Sequence, residues 1–153
     1  MVINLTFTYK SFDQLTPREL YAILQLRSEV FVVEQNCVFL DADDKDQASY
    51  HVMAWQNELL AGYTRLVPAG VAYAEPSIGR VVTSPKLRNT GIGRTLMQFS
   101  IRTSYELYGK TTITIGAQLY LRKFYESLGF IQCSDVYLED NIEHIKMFLP
   151  ASA

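Results

Sequence analysis

The sequence predicts a single α/β (α+β) domain in which helices flank one sheet. Three observations lead there. Periodicity alternates along the chain in the order strand, helix, three strands, helix, strand, helix, two strands. A length of 153 residues with 48% hydrophobic and 20% charged side chains suits one globular domain with a substantial core, here spanning residues 1–153. Proline or glycine stands where the periodicity changes, at Pro85, Gly109 and Gly129. No internal repeat, linker or low-complexity segment divides the chain.

Asn4 to Tyr9 alternate as a short strand. TPRE then opens a helix: Thr16 caps, Pro17 suits the first helical position, and Glu19 closes a capping box. Its apolar stripe runs through Leu20, Ile23, Leu24, the stem of Arg27, Val30 and Phe31 to about Glu34. Asp41 to Ser49 reads as loop. Tyr50–Gln56 and Leu59–Val67 read as a hairpin around Asn57-Glu58, and Pro68, Gly70 and Pro76 mark the next loop. A strand from Ser77 to Ser84 stops at Pro85, and a long helix from Gly93 to Tyr108 closes at Gly109. Thr111–Ile115 is a β-branched strand, Gln118 to Leu128 a helix ended by Gly129. Phe130–Leu138 and His144–Leu149 finish the chain as strands around Glu139-Asp140-Asn141.

Composition narrows the partners. A net charge of −2 provides no global basic field for nucleic acid or anionic membranes. Ten tyrosines without basic interleaving read as core and pocket lining. No apolar run approaches the roughly 18–20 residues of a spanning helix, and MVINLTFTYKSFD lacks a basic region followed by an apolar core. The expectation is a cytoplasmic protein with no membrane or nucleic-acid partner. Cys37 and Cys133 form no CxxC or Cys/His cluster, so they read as reduced and structural, with no metal site. The acidic run DADDKD, Asp41 to Asp46, fails the calcium-loop pattern at Lys45, Asp46 and Val52. It reads as a solvated loop able to attract a cationic amine.

The run SPKLRNTGIGRTLMQFSIR carries the most specific signal. Unpaired amides at a helix N-terminus bind anions, and Gly91 and Gly93 let a phosphate approach them. Arg88 and Arg94 add charge-assisted donors. The nucleoside-triphosphate pattern GxxxxGK[ST] is absent, and Leu96 stands where a dinucleotide loop has its third glycine.

R-x-x-G-x-G at Arg88, Asn89, Thr90, Gly91, Ile92 and Gly93 resembles the coenzyme A pyrophosphate loop of the GNAT acetyltransferase superfamily. A second stretch, AQLYLRKFYESLGF, is similar to the later GNAT motif through Phe124, Tyr125, Glu126, Leu128, Gly129 and Phe130. LRSEVFVVEQNC and YLEDNIEHIKMFLP resemble the ElaA-like subgroup in particular. Gln118 replaces an asparagine, and Leu121 an alanine, common in the superfamily. The resemblance covers essentially the whole chain. It implies a mixed, mostly antiparallel sheet flanked by helices, acetyl-CoA as co-substrate, no metal, and an amine acceptor, small molecule or peptide. Oligomeric state, including a homodimer, is left open.

The implied chemistry is direct attack of the amine on the thioester. Backbone N–H groups among Val81, Val82 and Thr83 would stabilise the oxyanion, and Arg88 through Arg94 with Gln118 would hold the coenzyme. Tyr125 matches the tyrosine that protonates the leaving thiolate. Glu34 and His144 are both candidates for the base, with His51 a weaker one on the substrate side. Arg80 is expected to orient a carboxylate such as Glu34, to bind an acidic group of the substrate, or to form a surface ion pair. The alternative is a coenzyme A binding module without turnover.

Overall fold

The computed structural model describes residues 3–151; Met1, Val2, Ser152 and Ala153, at the ends of the domain expected over 1–153, lie outside the described residues. Eight strands form one sheet in the order β1-β2-β3-β4-β5-β8-β6, with β7 also pairing β8. They are β1 (Thr6–Ser11), β2 (Tyr50–Gln56), β3 (Leu59–Val67), β4 (Ser77–Thr83), β5 (Ile113–Gln118), β6 (Ile131–Gln132), β7 (Tyr137–Glu139) and β8 (Ile142–Leu149). Every pairing is antiparallel except β4 with β5. The helices are α1 (Pro17–Arg27), α2 (Ile92–Tyr108) and α3 (Arg122–Glu126). The mixed, mostly antiparallel sheet expected from the sequence is present.

Local signals acted as anticipated where they were local. Thr16 Oγ1 accepts from the Glu19 amide at 3.1 Å while the Glu19 carboxylate accepts from the Thr16 amide at 2.8 Å, closing the capping box. The β2–β3 hairpin turns at Asn57, whose φ of 54° an asparagine tolerates. Asp140 and Asn141, at φ 50° and 65°, turn β7 into β8 as a two-residue connection of left-handed residues.

Other boundaries moved. The first helix is α-helical only to Arg27 and continues as a π-helical segment over Ser28–Glu34, with bonds such as Cys37 N–H to Val32 O at 3.0 Å. Gln118 to Leu128 is a strand end, a 3-10 turn over Leu119–Leu121, and the five-residue α3. The expected strand Phe130–Leu138 splits into β6 and β7 along the same partner: Gln132 pairs with Met147 and Tyr137 with His144, so the four residues from Cys133 to Val136 bulge out against two of β8.

Two apolar layers cover the sheet. On one face Leu96 and Met97 of α2 and Tyr125 of α3 pack with Ile113, Ile115, Ile145 and Met147. On the other, Ile23 and Leu26 of α1 with Val30 meet Met53, Tyr63 and Val82. Burying side chains of this kind contributes about 1.5–3 kcal/mol each before conformational entropy is counted.

The feature that positions the site is the parting of β4 and β5. They are bonded in register only at Ser77 and Thr114, and then diverge. Beside the split, β4 carries a bulge: Tyr63 pairs with Val82 but Arg65 with Gly79, so Arg80 and Val81 oppose one β3 residue. Arg80 sits at φ 50°, a left-handed conformation uncommon outside glycine and asparagine.

Candidate functional site

The split opens a cleft of about 820 Å³. Its walls include Gly79 through Thr83 of β4, Gly116 and Gln118 of β5, Glu34 and Gln35 at the end of the π-helical segment, Arg88, Gly93, Tyr125 and His144. Most of the residues singled out in the sequence therefore meet in one space. Because β5 leaves β4 after Thr114, the far edge of β4 carries backbone groups with no strand partner on the cleft side.

The acidic run is not a solvated loop. Asp41 and Asp46 are only 8% and 7% exposed, and three arginines converge on the run. Arg27, fully buried, donates to Asp41 at 2.7 Å and to Asp46 at 2.8 Å. Arg65 bonds Asp43 twice, at 2.7 and 2.9 Å, and Asp46 at 2.9 Å. Arg80 donates to Asp41 at 2.8 Å and to Asp43 at 3.3 Å. The guanidinium at 80 therefore orients these carboxylates and not Glu34. The Arg27 side chain supplies a whole buried charge where the stripe suggested only an apolar stem. Burial pushes the Asp46 carboxyl up, but hydrogen bonds and charge from Arg27 and Arg65 outweigh it and hold it below the ordinary range. Asp43 is lowered in the same way by Arg65 and Arg80.

His51 belongs to this buried network and not to the substrate side. It is 0% exposed, with Nδ1 at 2.7 Å from the Tyr63 hydroxyl and Nε2 at 2.9 Å from Asp46 O. Burial is the main influence on its ring, and lowers its affinity for a second proton.

The glycine loop enters α2 as the sequence indicated. Gly91 is the N-cap residue at φ 80°, with no side chain capping the helix, so the first amides of α2 stay available. Asn89, at φ 61°, and Thr90, whose Oγ1 donates to Leu87 O, shape the approach, and Ile92 anchors the helix start in the core. Arg88 lines the cleft but is engaged: its guanidinium forms a bidentate pair with Glu34, one bond at 2.8 Å. That pairing is the chief reason the Glu34 carboxyl is lowered. Arg94 instead bonds the Ser127 hydroxyl and borders a separate groove of about 540 Å³ with Gln98, Arg102 and Tyr105.

Two side chains suited to proton transfer face the cleft. Tyr125 is 5% exposed and packs edge-on against Phe124 and Phe130, 5.2 and 5.8 Å between centroids. Burial, with a smaller contribution from Tyr120, pushes its phenol well above the ordinary range, so it carries its proton at neutral pH. His144 is 8% exposed, stacked on Tyr137 at 5.9 Å. Its Nδ1 lies 2.7 Å from Ile142 O, and a carbonyl only accepts, so the proton sits on Nδ1. In the neutral ring Nε2 then keeps its lone pair. Gln118 reaches across to Gln35 at 3.4–3.5 Å, joining β5 to the end of the π-helical segment.

Comparison with known proteins completes the picture. The profile of the family described as "Acetyltransferase (GNAT) domain" matches residues 19–150. The chain belongs to the GNAT acetyltransferase family. Within it, this GNAT chain is similar to Escherichia coli ElaA, 40% identical over 137 residues, covering 88% of this chain and 90% of ElaA. A Schizosaccharomyces pombe protein of the UPF0039 group is 42% identical over 148 residues, 95% and 97% of the two chains. Among solved structures, an acyl-CoA N-acyltransferase from Pseudomonas aeruginosa superposes with a TM-score of 0.91 at 40% identity, covering 95% of this chain and 99% of that one. The ElaA crystal structure gives 0.90 at 36%, with the same coverage. Acyl transfer is the chemistry of this GNAT family, and no helix among the described residues is long and apolar enough to cross a membrane.

Several residues of the GNAT cleft went unread in the sequence. Gln35 caps the C-terminal end of the π-helical segment, and from there it pairs with Gln118. Gly116 is a mid-strand glycine, the usual mark of close approach. A Cβ there would stand 2.9 Å from the Tyr73 hydroxyl and 3.2 Å from that of Tyr137. Cys37 lines the cleft with its thiol donating to Asp140 O at 3.2 Å, and Cys133 is exposed; both are free.

Proposed function

We propose that the protein is an acetyl-CoA-dependent N-acetyltransferase, a single GNAT domain that passes an acetyl group to an amine by direct attack. One observation carries this reading: a single cleft unites the open edge of β4, the start of α2 and a buried neutral phenol at Tyr125. The α2 amides from Ile92 onward, with Gly91 and Gly93 bare of side chains, suit the pyrophosphate of the coenzyme. Amides among Val81, Val82 and Thr83 suit the negative charge that develops on the thioester carbonyl. Tyr125 gives its proton to the departing thiolate.

His144 is the stronger of the two candidate bases. Its Nε2 lone pair is free to take the amine proton, whereas Glu34 is held as an anion by Arg88. Cys37 is less suited to a covalent route, since its thiol donates to a backbone carbonyl and not to a basic side chain.

The test is release of coenzyme A thiol from acetyl-CoA in the presence of a panel of amines. Tyr125→Phe should lower kcat about 100-fold with acetyl-CoA affinity kept within about twofold. His144→Gln should lower kcat/KM by a similar factor. Equal loss of binding and rate in Tyr125→Phe removes the acid role, and binding without any turnover favours a coenzyme-binding module.

A further inference from the structure

The charges lining the cleft fall into two groups. Arg88 is spent on Glu34, and Arg80 on Asp41 and Asp43, while Asp43 is further engaged by Arg65. Every arginine facing the cleft is thus neutralised by a carboxylate of the protein itself. Two carboxylates of the lining are left over, Glu139 and Asp140, both on the turn from β7 to β8. Among the described residues Asp140 has no ion pair, and Glu139 has only the ring of His144, with Oε2 3.6 Å from Nε2.

An acidic turn alone says little, but a second observation points to a ligand at the same place. His144, 8% exposed, lines the cleft, and its Nε2 has no hydrogen bond among the described residues and lies 3.6 Å from Glu139 Oε2. On the neighbouring strand the Tyr73 and Tyr137 hydroxyls gather over Gly116, and neither tyrosine is part of the cleft lining. Tyr73 is pushed up to about 12 by burial, helped by Tyr137 and Glu139, so it remains an uncharged phenol. Lys146 lies over the Tyr73 ring at 5.4 Å from its centroid and, like Tyr73, is not part of the cleft lining.

We infer that the acceptor is an amine bearing a second positive charge, such as a diamine or a lysine-like side chain beside another cation. The Glu139–Asp140 turn binds the second cation while His144 faces the amine that reacts. This rests on the acetyltransferase reading above. An acceptor with a carboxylate would meet two anions that, among the described residues, no arginine or lysine neutralises, so a negatively charged acceptor is disfavoured. Paired against Asp41 and Asp43, Arg80 is not the carboxylate receptor that its position on β4 suggested.

Three probes separate the charge from everything else: putrescine, n-butylamine and γ-aminobutyrate share a chain length and differ in their far end, ammonium, methyl or carboxylate. The expected kcat/KM order is putrescine first by about tenfold or more, then n-butylamine, then γ-aminobutyrate. Added salt should narrow the ratio. Glu139→Gln and Asp140→Asn should each narrow it too, with acetyl-CoA affinity retained as the sign of a folded protein. Asparagine tolerates the left-handed backbone at 140. Equal rates for the three amines, or a lead for γ-aminobutyrate, overturn the dication inference and leave the acetyltransferase reading standing. A protein that binds acetyl-CoA yet acetylates none of them overturns the inference as well. Failure to bind acetyl-CoA at all removes both.

Discussion

Glu34 and Arg88 grip each other across the mouth of the cleft, tying the end of the π-helical segment to the glycine loop. The cation that the sequence assigned to phosphate is thus held by the carboxylate that the sequence offered as a base. Phosphate arriving at α2 must either share Arg88 or displace Glu34. Glu34→Gln removes the competitor and one negative charge from the approach. Acetyl-CoA should then bind about two- to fivefold more tightly in calorimetric titration. A weaker or unchanged affinity would show that Glu34 does not compete for Arg88.

The buried arginine–aspartate network makes a prediction about stability. Asp46→Asn leaves Arg27 and Arg65 short of a carboxylate inside the protein, and should cost about 3–5 kcal/mol in denaturant unfolding. A loss below about 1 kcal/mol would mean that Asp41 and Asp43 compensate.

The same network sets an acid limb. Asp43 and Asp46 have folded-state values held below their unfolded ones, so their contribution is fully present above about pH 4. It is lost as pH falls through the depressed folded values. Stability of the parent should decline steeply below about pH 4, and Asp46→Asn should flatten that decline. Parallel pH profiles for the two proteins would contradict the assignment.

Gly116 has a steric reason that the sequence did not announce. Gly116→Ala must push aside the Tyr73 and Tyr137 hydroxyls. The expected cost is about 1–2 kcal/mol in thermal unfolding, with a change in acceptor KM larger than that in acetyl-CoA affinity. The reverse pattern would place Gly116 on the coenzyme side.

What was legible in the sequence was what neighbouring residues decide. Thr16, Pro17 and Glu19 settle the start of α1 within four positions, and Gly91 opens α2 through its own φ. The glycine loop and Tyr125 were readable because both lie in continuous motifs. The network of Arg27, Arg65 and Arg80 with Asp41, Asp43 and Asp46 was not, since its partners come from α1, β3, β4 and a loop. One signal could have shown it: an arginine on the apolar stripe of α1, followed by an acidic run. His51 misled for the same reason, its partners Tyr63 and Asp46 being fixed by sheet register and loop path. No residue type in Ser28–Glu34 announces the π-helical turn, whose end carries Glu34 and Gln35 into the cleft lining.

The central claim is that the start of α2 receives the phosphates of the coenzyme. The measurement that tests it most directly is calorimetric titration of acetyl-CoA into the parent, Gly91→Asn and Gly91→Glu. Asparagine tolerates the left-handed backbone at 91 and adds no charge, whereas glutamate sets a carboxylate beside the first amides of α2. Binding by the parent and by Gly91→Asn, with loss of about 100-fold or more in a folded Gly91→Glu, is the predicted result. No binding by the folded parent, or equal affinities for the two variants, would contradict the account.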